Sequence, residues 1–250
     1  MRRRELIMPK KIVVLDLEGT LIKVPRLFDT DVPKSMWQTI AQLLGPECLR
    51  EEERSHARWL SGDIPDYVTW MDQTVRMLLR YGLNKNDIET LVSNIEIVCG
   101  AQRFAQRIHS QGGVLAIVTG ALKAIAEPVQ IALGAQHLFA GCELYFDQRG
   151  EVVHWNLLPS DWYGKVDFMY LLAREYQADL SEVVFIGDGV NDVELAKQAG
   201  LSIGFNPDSG LARVVDIIVE QPDEEQDFEA VAGIIENFWR AGKENGDAVR

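Results

Sequence analysis

Cysteine is scarce in this chain: Cys48, Cys99 and Cys142 are the only three in 250 residues, and no two stand at a Cys-x-x-Cys spacing. Neither a disulfide framework nor a structural zinc site is indicated, and a reducing cytoplasm is the expected setting. Histidine is equally sparse, and His56, His109, His137 and His154 are too dispersed to announce a metal site. Positive charge is also short. Lysine and arginine number 25 against 38 acids, and the net charge of -13 argues against nucleic acid and anionic membranes as main partners. No apolar stretch approaches membrane-spanning length. Only Leu6, Ile7 and Met8 separate the basic Met1-Arg2-Arg3-Arg4 from Pro9, which is too little for a signal-peptide core. There is no internal repeat.

What the chain does have is acid at the ends of apolar runs. Val13-Val14-Leu15 runs into Asp16-Leu17-Glu18-Gly19-Thr20, and Val183-Val184-Phe185-Ile186 runs into Gly187-Asp188-Gly189-Val190-Asn191-Asp192. If both runs are neighbouring buried strands of a parallel sheet, their carboxyl ends bring Asp16, Glu18, Asp188 and Asp192 to one crevice, where open α/β sheets bind ligands. Four acids so placed repel one another unless a cation joins them.

Between these motifs the texture changes twice. From Lys11 to Glu18 the pattern is a buried strand. Helical punctuation follows: a helix from Ser35 to Leu44 ending at Gly45-Pro46, then apolar repeats at Tyr67, Trp70, Met71, Thr74, Val75 and Leu78, and at Ile88, Leu91, Val92, Ile95 and Val98. These aromatic and methionine residues are read as the packing of a small bundle, not as a ligand box. Near Gly100 alternation of helix and strand returns, with a strand Val114–Val118 running into Thr119-Gly120. A hairpin follows around Asp147–Glu151, then a helix opening at Gly164-Lys165-Val166, and short strands at Leu201–Ile203 and Val215–Val219. The expected division is a core at 10–22 and 99–238, a helical insertion at 23–98 and a frayed tail at 239–250, whose polar end runs from Gly242.

Four motifs in this order, with a helical insert between the first and second, resemble the haloacid dehalogenase superfamily of aspartate-nucleophile phosphatases, and its phosphoserine-phosphatase-like branch in particular. Asn206-Pro207 and Asp63-Ile64-Pro65-Asp66-Tyr67 are similar to that branch as well. The resemblance implies an α/β fold, a Rossmann-like parallel sheet flanked by helices, carrying an inserted helical cap of the C1 type. It implies Mg²⁺ held by the Asp16 and Asp188 carboxylates and the Glu18 backbone carbonyl, with Asp192 orienting a metal-bound water. Asp16 is then the nucleophile that forms an aspartyl-phosphate and Glu18 the general acid and base. Thr119, Gly120, Lys165 and Asn191 are the phosphate and substrate contacts.

The implied activity is Mg²⁺-dependent hydrolysis of a small phosphorylated metabolite by a monomer or homodimer. Two alternatives stand beside it: transfer of the phosphoryl group to an alcohol, and a non-catalytic phospho-ligand-binding regulator. The chain departs from the commonest pattern by having glutamate at position 18. It also lacks the glutamate that follows the first motif in phosphoserine phosphatases, having Leu21-Ile22-Lys23-Val24-Pro25-Arg26 there, and Thr74 falls where their carboxylate-binding arginine is expected, with Arg76 two residues on. Phosphoserine specificity is therefore not expected, and Lys23, Arg26 and Arg76 are candidates to meet a more anionic substrate.

Overall fold

The computed structural model describes residues 11–24, 35–222 and 224–247. The chain starts with β1 (Ile12–Leu15), all four of whose side chains are buried, and turns into the short β2 (Ile22–Lys23). Four helices follow: α1 (Met36–Leu43), α2 (Pro46–Leu60), α3 (Tyr67–Arg80) and α4 (Lys85–Ser93). Each starts where the sequence offers a start. Ser35 and Asp66 accept from the backbone N–H groups of Gln38 and Thr69, Asn84 and Asp87 form a capping box, and Pro46 opens α2 where its missing N–H costs nothing. The periodicity through Val98 overshoots the last of them. Helix α4 stops at Ser93 because Glu96 and Ile97 form β3 (Glu96–Ile97), which pairs antiparallel with β2 through Ile22↔Ile97 and Lys23↔Glu96. The two strands by which the chain enters and leaves the helical segment are thus tied together.

The rest alternates: α5 (Ala101–Ser110), β4 (Val114–Leu122), α6 (Lys123–Leu133), β5 (His137–Phe146), β6 (Val152–Leu157), α7 (Tyr163–Tyr176), β7 (Val184–Gly187), α8 (Val193–Ala196), β8 (Leu201–Phe205), β9 (Ile217–Val219) and α9 (Ala230–Asp247). The seven-stranded sheet has the order β6-β5-β4-β1-β7-β8-β9, parallel except for the antiparallel edge strand β6. Strand side chains alternate between its faces. Val13 and Leu15 join Phe104, Val129 and Phe228 in one core, while Ile12 and Val14 join Met169, Leu172 and Leu195 in the other. The three cysteines are free. Among the described residues no helix is long and apolar enough to cross a membrane.

The last helix runs across the 238 boundary read from the sequence. Helix α9 continues to Asp247, and Trp239 is buried with its indole N–H donating to the Glu182 carbonyl at 3.2 Å. Val231, Ala232, Ile235 and Trp239 form the buried face through which this helix packs.

One buried acid lies in the helical segment. Glu52 on α2 is 1% exposed, and its Oε2 has no hydrogen-bond partner. Burial pushes its carboxyl from 4.5 up to about 7, a rise partly offset by a hydrogen bond from the Gln38 side chain. The folded state thus holds a proton that the unfolded chain releases near 4.5, so stability falls as pH rises from there towards 7. Glu52→Gln is expected to remove a penalty on the order of 2 kcal/mol. In thermal melts Tm should rise by roughly 4–8 °C at about pH 8 and barely change at about pH 4. An equal change at both pH values would contradict this origin.

Candidate active site

Strand β1 sits at the reversal point of the sheet, with β4 on one side and β7 on the other. Leu15 is level with Ile117 of β4 and Ile186 of β7, so β1 and β7 end together while β4 runs on past them to Leu122. The chain leaves β1 at Asp16, whose backbone N–H donates to the Ile186 carbonyl at 2.9 Å. This is the crevice that open parallel sheets use for ligands.

Lys165, on the first turn of α7, is completely buried beneath it. Its Nζ lies 2.6 Å from Asp16 Oδ1, 2.6 Å from Asp192 Oδ1 and 3.5 Å from Asp161 Oδ1. Gly164 is required beside it, because a Cβ there would lie 1.7 Å from the Pro159 carbonyl oxygen. The other Asp192 oxygen, Oδ2, accepts from the backbone N–H groups of Asp188 and Gly189, each at 3.2 Å. Asp192 therefore fixes both the lysine and the loop that carries Asp188.

Asp16, Asp188 and Asp192 each offer a carboxylate oxygen within 4.8 Å of the others'. Burial above all, opposed by Lys165 and aided by Asp192 and Asp161, raises the Asp16 carboxyl to about 8. Asp188 is also driven well above the carboxylate range, by burial and then by Asp16 and Asp192. One lysine does not satisfy this many buried carboxylates. The unmet negative charge and the all-oxygen donor set fit a hard divalent cation such as Mg²⁺, and no sulfur or imidazole belongs to the cluster. The turn after Asp16 is built around Asp188: Thr20 Oγ1 donates to Asp188 Oδ1 at 3.1 Å, and a Cβ on Gly19, whose φ is +80°, would fall 2.1 Å from Asp188 Oδ2.

Glu18 reaches the helical segment. Its Oε1 accepts from the Met36 N–H at the start of α1 at 2.6 Å, and burial raises its carboxyl to about 7. On the opposite side, β4 departs from regular pairing between Thr119 and Leu122, an irregularity of the kind that re-aims backbone at strand tips. Thr119 is buried, and its Oγ1 accepts from the Ala121 N–H at 3.1 Å. The Gly120 carbonyl accepts from Tyr67 Oη at 3.1 Å and Trp37 Nε1 at 3.3 Å. A side chain at 120 would collide with Tyr67 and Asp161. Asn191 is anchored through Nδ2 to Asp161 Oδ1 at 2.7 Å.

All the residues singled out from the motifs except buried Lys165 and Asp192 line a cavity of about 480 Å³. Two features were not read from the sequence. Asp161 bonds Asn191 and faces Lys165, and only its position four residues before Lys165 on the chain hints at that. The cavity wall is aromatic, made by Trp37, Trp59, Tyr67, Trp70 and Trp162. Tyr67 and Trp70, read as packing only, pack and line the cavity at once. His56 also lines it, stacked on Trp59. Arg76 does not: its guanidinium bonds Asp72 at 2.7 Å and lies over the Trp155 ring. Lys23 sits exposed on β2, outside the cavity lining, and Arg26 lies outside the described residues.

Residues 10–200 match the family of haloacid dehalogenase-like hydrolases. The chain belongs to this family. Among its relatives, a phosphoserine phosphatase of Lactococcus lactis is 25% identical over 201 residues, covering 78% of this chain and 83% of the relative. Another, from Methanocaldococcus jannaschii, is 23% identical over 220 residues, covering 86% and 94%. In fold, this haloacid dehalogenase-like chain is similar to a phosphoserine phosphatase solved as a phospho-aspartyl intermediate analogue, with a TM-score of 0.69 at 20% identity over 91% of this chain and 99% of that one. A hydrolase of the same family from Salmonella enterica serovar Typhi gives a TM-score of 0.72 at 16% identity, over 92% and 73%.

Proposed function

We propose that the chain is a Mg²⁺-dependent phosphatase that hydrolyses a small phosphomonoester through an aspartyl-phosphate on Asp16. The observation that carries this reading is the buried Asp16–Lys165–Asp192 arrangement beside Asp188, at the ends of the adjacent strands β1 and β7. The phosphoserine phosphatases among its relatives support the reaction class.

Asp16 and Asp188, with the Glu18 backbone carbonyl, would hold the Mg²⁺, and Asp192 would act from behind them. Bound there, the ion offsets charge on the phosphate and lets an anion approach it. Lys165 fixes the Asp16 carboxylate through Oδ1 and supplies a second positive charge. A carboxylate oxygen of Asp16 attacks phosphorus, the ester P–O bond breaks, and Glu18 gives its proton to the departing alcohol oxygen. Glu18 then takes a proton from water as that water attacks phosphorus, releasing inorganic phosphate and the Asp16 carboxylate. Thr119 and Gly120 contact the phosphate oxygens from the β4 side, and Asn191, held by Asp161, from the β7 side. The four helices between β2 and β3 serve as the cap that covers the site.

Hydrolysis of p-nitrophenyl phosphate that requires Mg²⁺ and stops with a chelator is the expected result. No turnover across a broad panel of phosphate esters would overturn the reading. In Glu18→Gln the first half-reaction on p-nitrophenyl phosphate should persist as a burst, since that leaving group needs no proton. The steady-state rate should fall by roughly 10²–10⁴-fold. Rapid-quench kinetics read both phases, and an unchanged steady-state rate would remove Glu18 from this role.

A further inference from the structure

The walls of the cavity say what kind of alcohol the phosphate is attached to. Trp59 of α2 stands at its centre, with ring centroids 5.0 Å from Trp162, 5.3 Å from Trp70 and 5.4 Å from Tyr67. The Trp37 ring, also in the lining, meets Trp70 edge-on with centroids 6.0 Å apart. The wall joins the helical segment to the sheet, because Trp162 precedes α7 and the others stand on α1, α2 and α3.

No lysine or arginine among the described residues lines this space. Lys165 is turned to the carboxylates and fully buried, and Arg54, Arg58, Arg76 and Arg80 line a separate cavity. The lining instead carries Asp16, Glu18, Asp161, Asp188 and Asp208. Among the described lining residues only the His56 imidazole could partner a carboxylate on the substrate, against five acids.

A cation is favoured by both the acids and the π faces of the rings. Three of the lining acids are already hydrogen-bonded: Glu18 by the Met36 N–H, Asp161 by Asn191 and the Trp162 N–H, and Asp208 by the N–H groups of Val190, Gly210 and Leu211. A primary ammonium would exchange water for indole and lose hydrogen bonds. A quaternary ammonium has no N–H to leave unpaired.

We infer that the substrate is the phosphomonoester of an alcohol carrying a quaternary ammonium, held against the Trp59–Trp70–Trp162 wall. This rests on the phosphatase reading above. The reaction is hydrolysis: water's oxygen ends on phosphorus, its proton on the released amino alcohol, and no redox step is involved.

The test compares kcat/KM of the full chain with Mg²⁺ on phosphocholine, on its uncharged isostere dimethylbutyl phosphate, on phosphoserine and on p-nitrophenyl phosphate. Phosphocholine should exceed the isostere by about tenfold or more, the scale of a desolvated cation–π contact, and Trp59→Leu should bring that ratio towards one. Tetramethylammonium should also inhibit wild-type hydrolysis of p-nitrophenyl phosphate competitively, a readout that needs no variant. Equal rates on the two isosteres, a preference for phosphoserine, or no inhibition by tetramethylammonium would overturn the cation assignment and leave the phosphatase reading standing. Absence of turnover on all four esters would overturn both.

Discussion

Asp16→Asn should abolish phosphatase turnover, lowering kcat by at least roughly 10⁴-fold, while the protein stays folded and as stable as the wild type or more so. The loss follows from the chemistry. A neutral amide of the same shape neither attacks phosphorus nor leaves as a carboxylate when water arrives, and removing one member of a concerted catalytic set costs factors of this size or larger. The retained stability follows from the site's electrostatics. Asp16 is 4% exposed, and burial with two neighbouring acids pushes its carboxyl up to about 8, so its charge is held in the fold against a penalty. The asparagine carbonyl can still accept from Lys165. Steady-state kinetics and thermal melts on the same preparation check both halves. A residual rate within tenfold of wild type would exclude Asp16 as nucleophile, and a large fall in Tm would show that its role is structural.

Lys165→Met should be the reverse case, damaging both activity and stability. The methionine fills much of the same volume but leaves Asp16, Asp192 and Asp161 without the ammonium that now lies 2.6 to 3.5 Å away. Removing one partner from a buried ionic cluster costs about 3–5 kcal/mol, because the remaining charges stay buried and unpaired. For a chain of this size that corresponds to a fall in Tm of roughly 6–20 °C. Added Mg²⁺ should recover part of the loss, since a divalent cation bound to the same acids offsets their repulsion. Hydrolysis should fall by at least roughly 10³-fold even with Mg²⁺ present. A Tm equal to that of the wild type without Mg²⁺ would contradict the role given to Lys165.

The groups that were legible in the sequence share one property: each sits beside a short local signal, the end of an apolar run or the start of a helix. Asp16 and Asp188 follow continuous apolar runs, Thr119 follows another, and Lys165 follows a glycine that its helix start requires. Their convergence depends only on the parallel order of β4, β1 and β7, which buried runs alternating with helices predict. Asp161 was not legible, because its hydrogen-bond partner Asn191 is distant in sequence and meets it only through the fold. The aromatic wall was hidden for a different reason. Tyr67 and Trp70 have the helical spacing of a packing face and do pack, so periodicity could not reveal that the same rings border a cavity. The opening of β5 at His137–Gly141 and helix α6 were also missed. That part of β5 is only partly buried at most positions, and α6 carries Pro128 within it, so neither has a clean pattern.

The central claim is that phosphate passes through Asp16. It is tested most directly by acid-quenching Glu18→Gln during turnover of p-nitrophenyl phosphate with Mg²⁺ and locating the covalent phosphate by peptide mass spectrometry. Phosphate is expected on the Asp16 side chain, at a level that rises with the burst of nitrophenol and is absent when Asp16→Asn is added to the same variant. A nitrophenol burst with no covalent phosphate, or phosphate on any other residue, would contradict it.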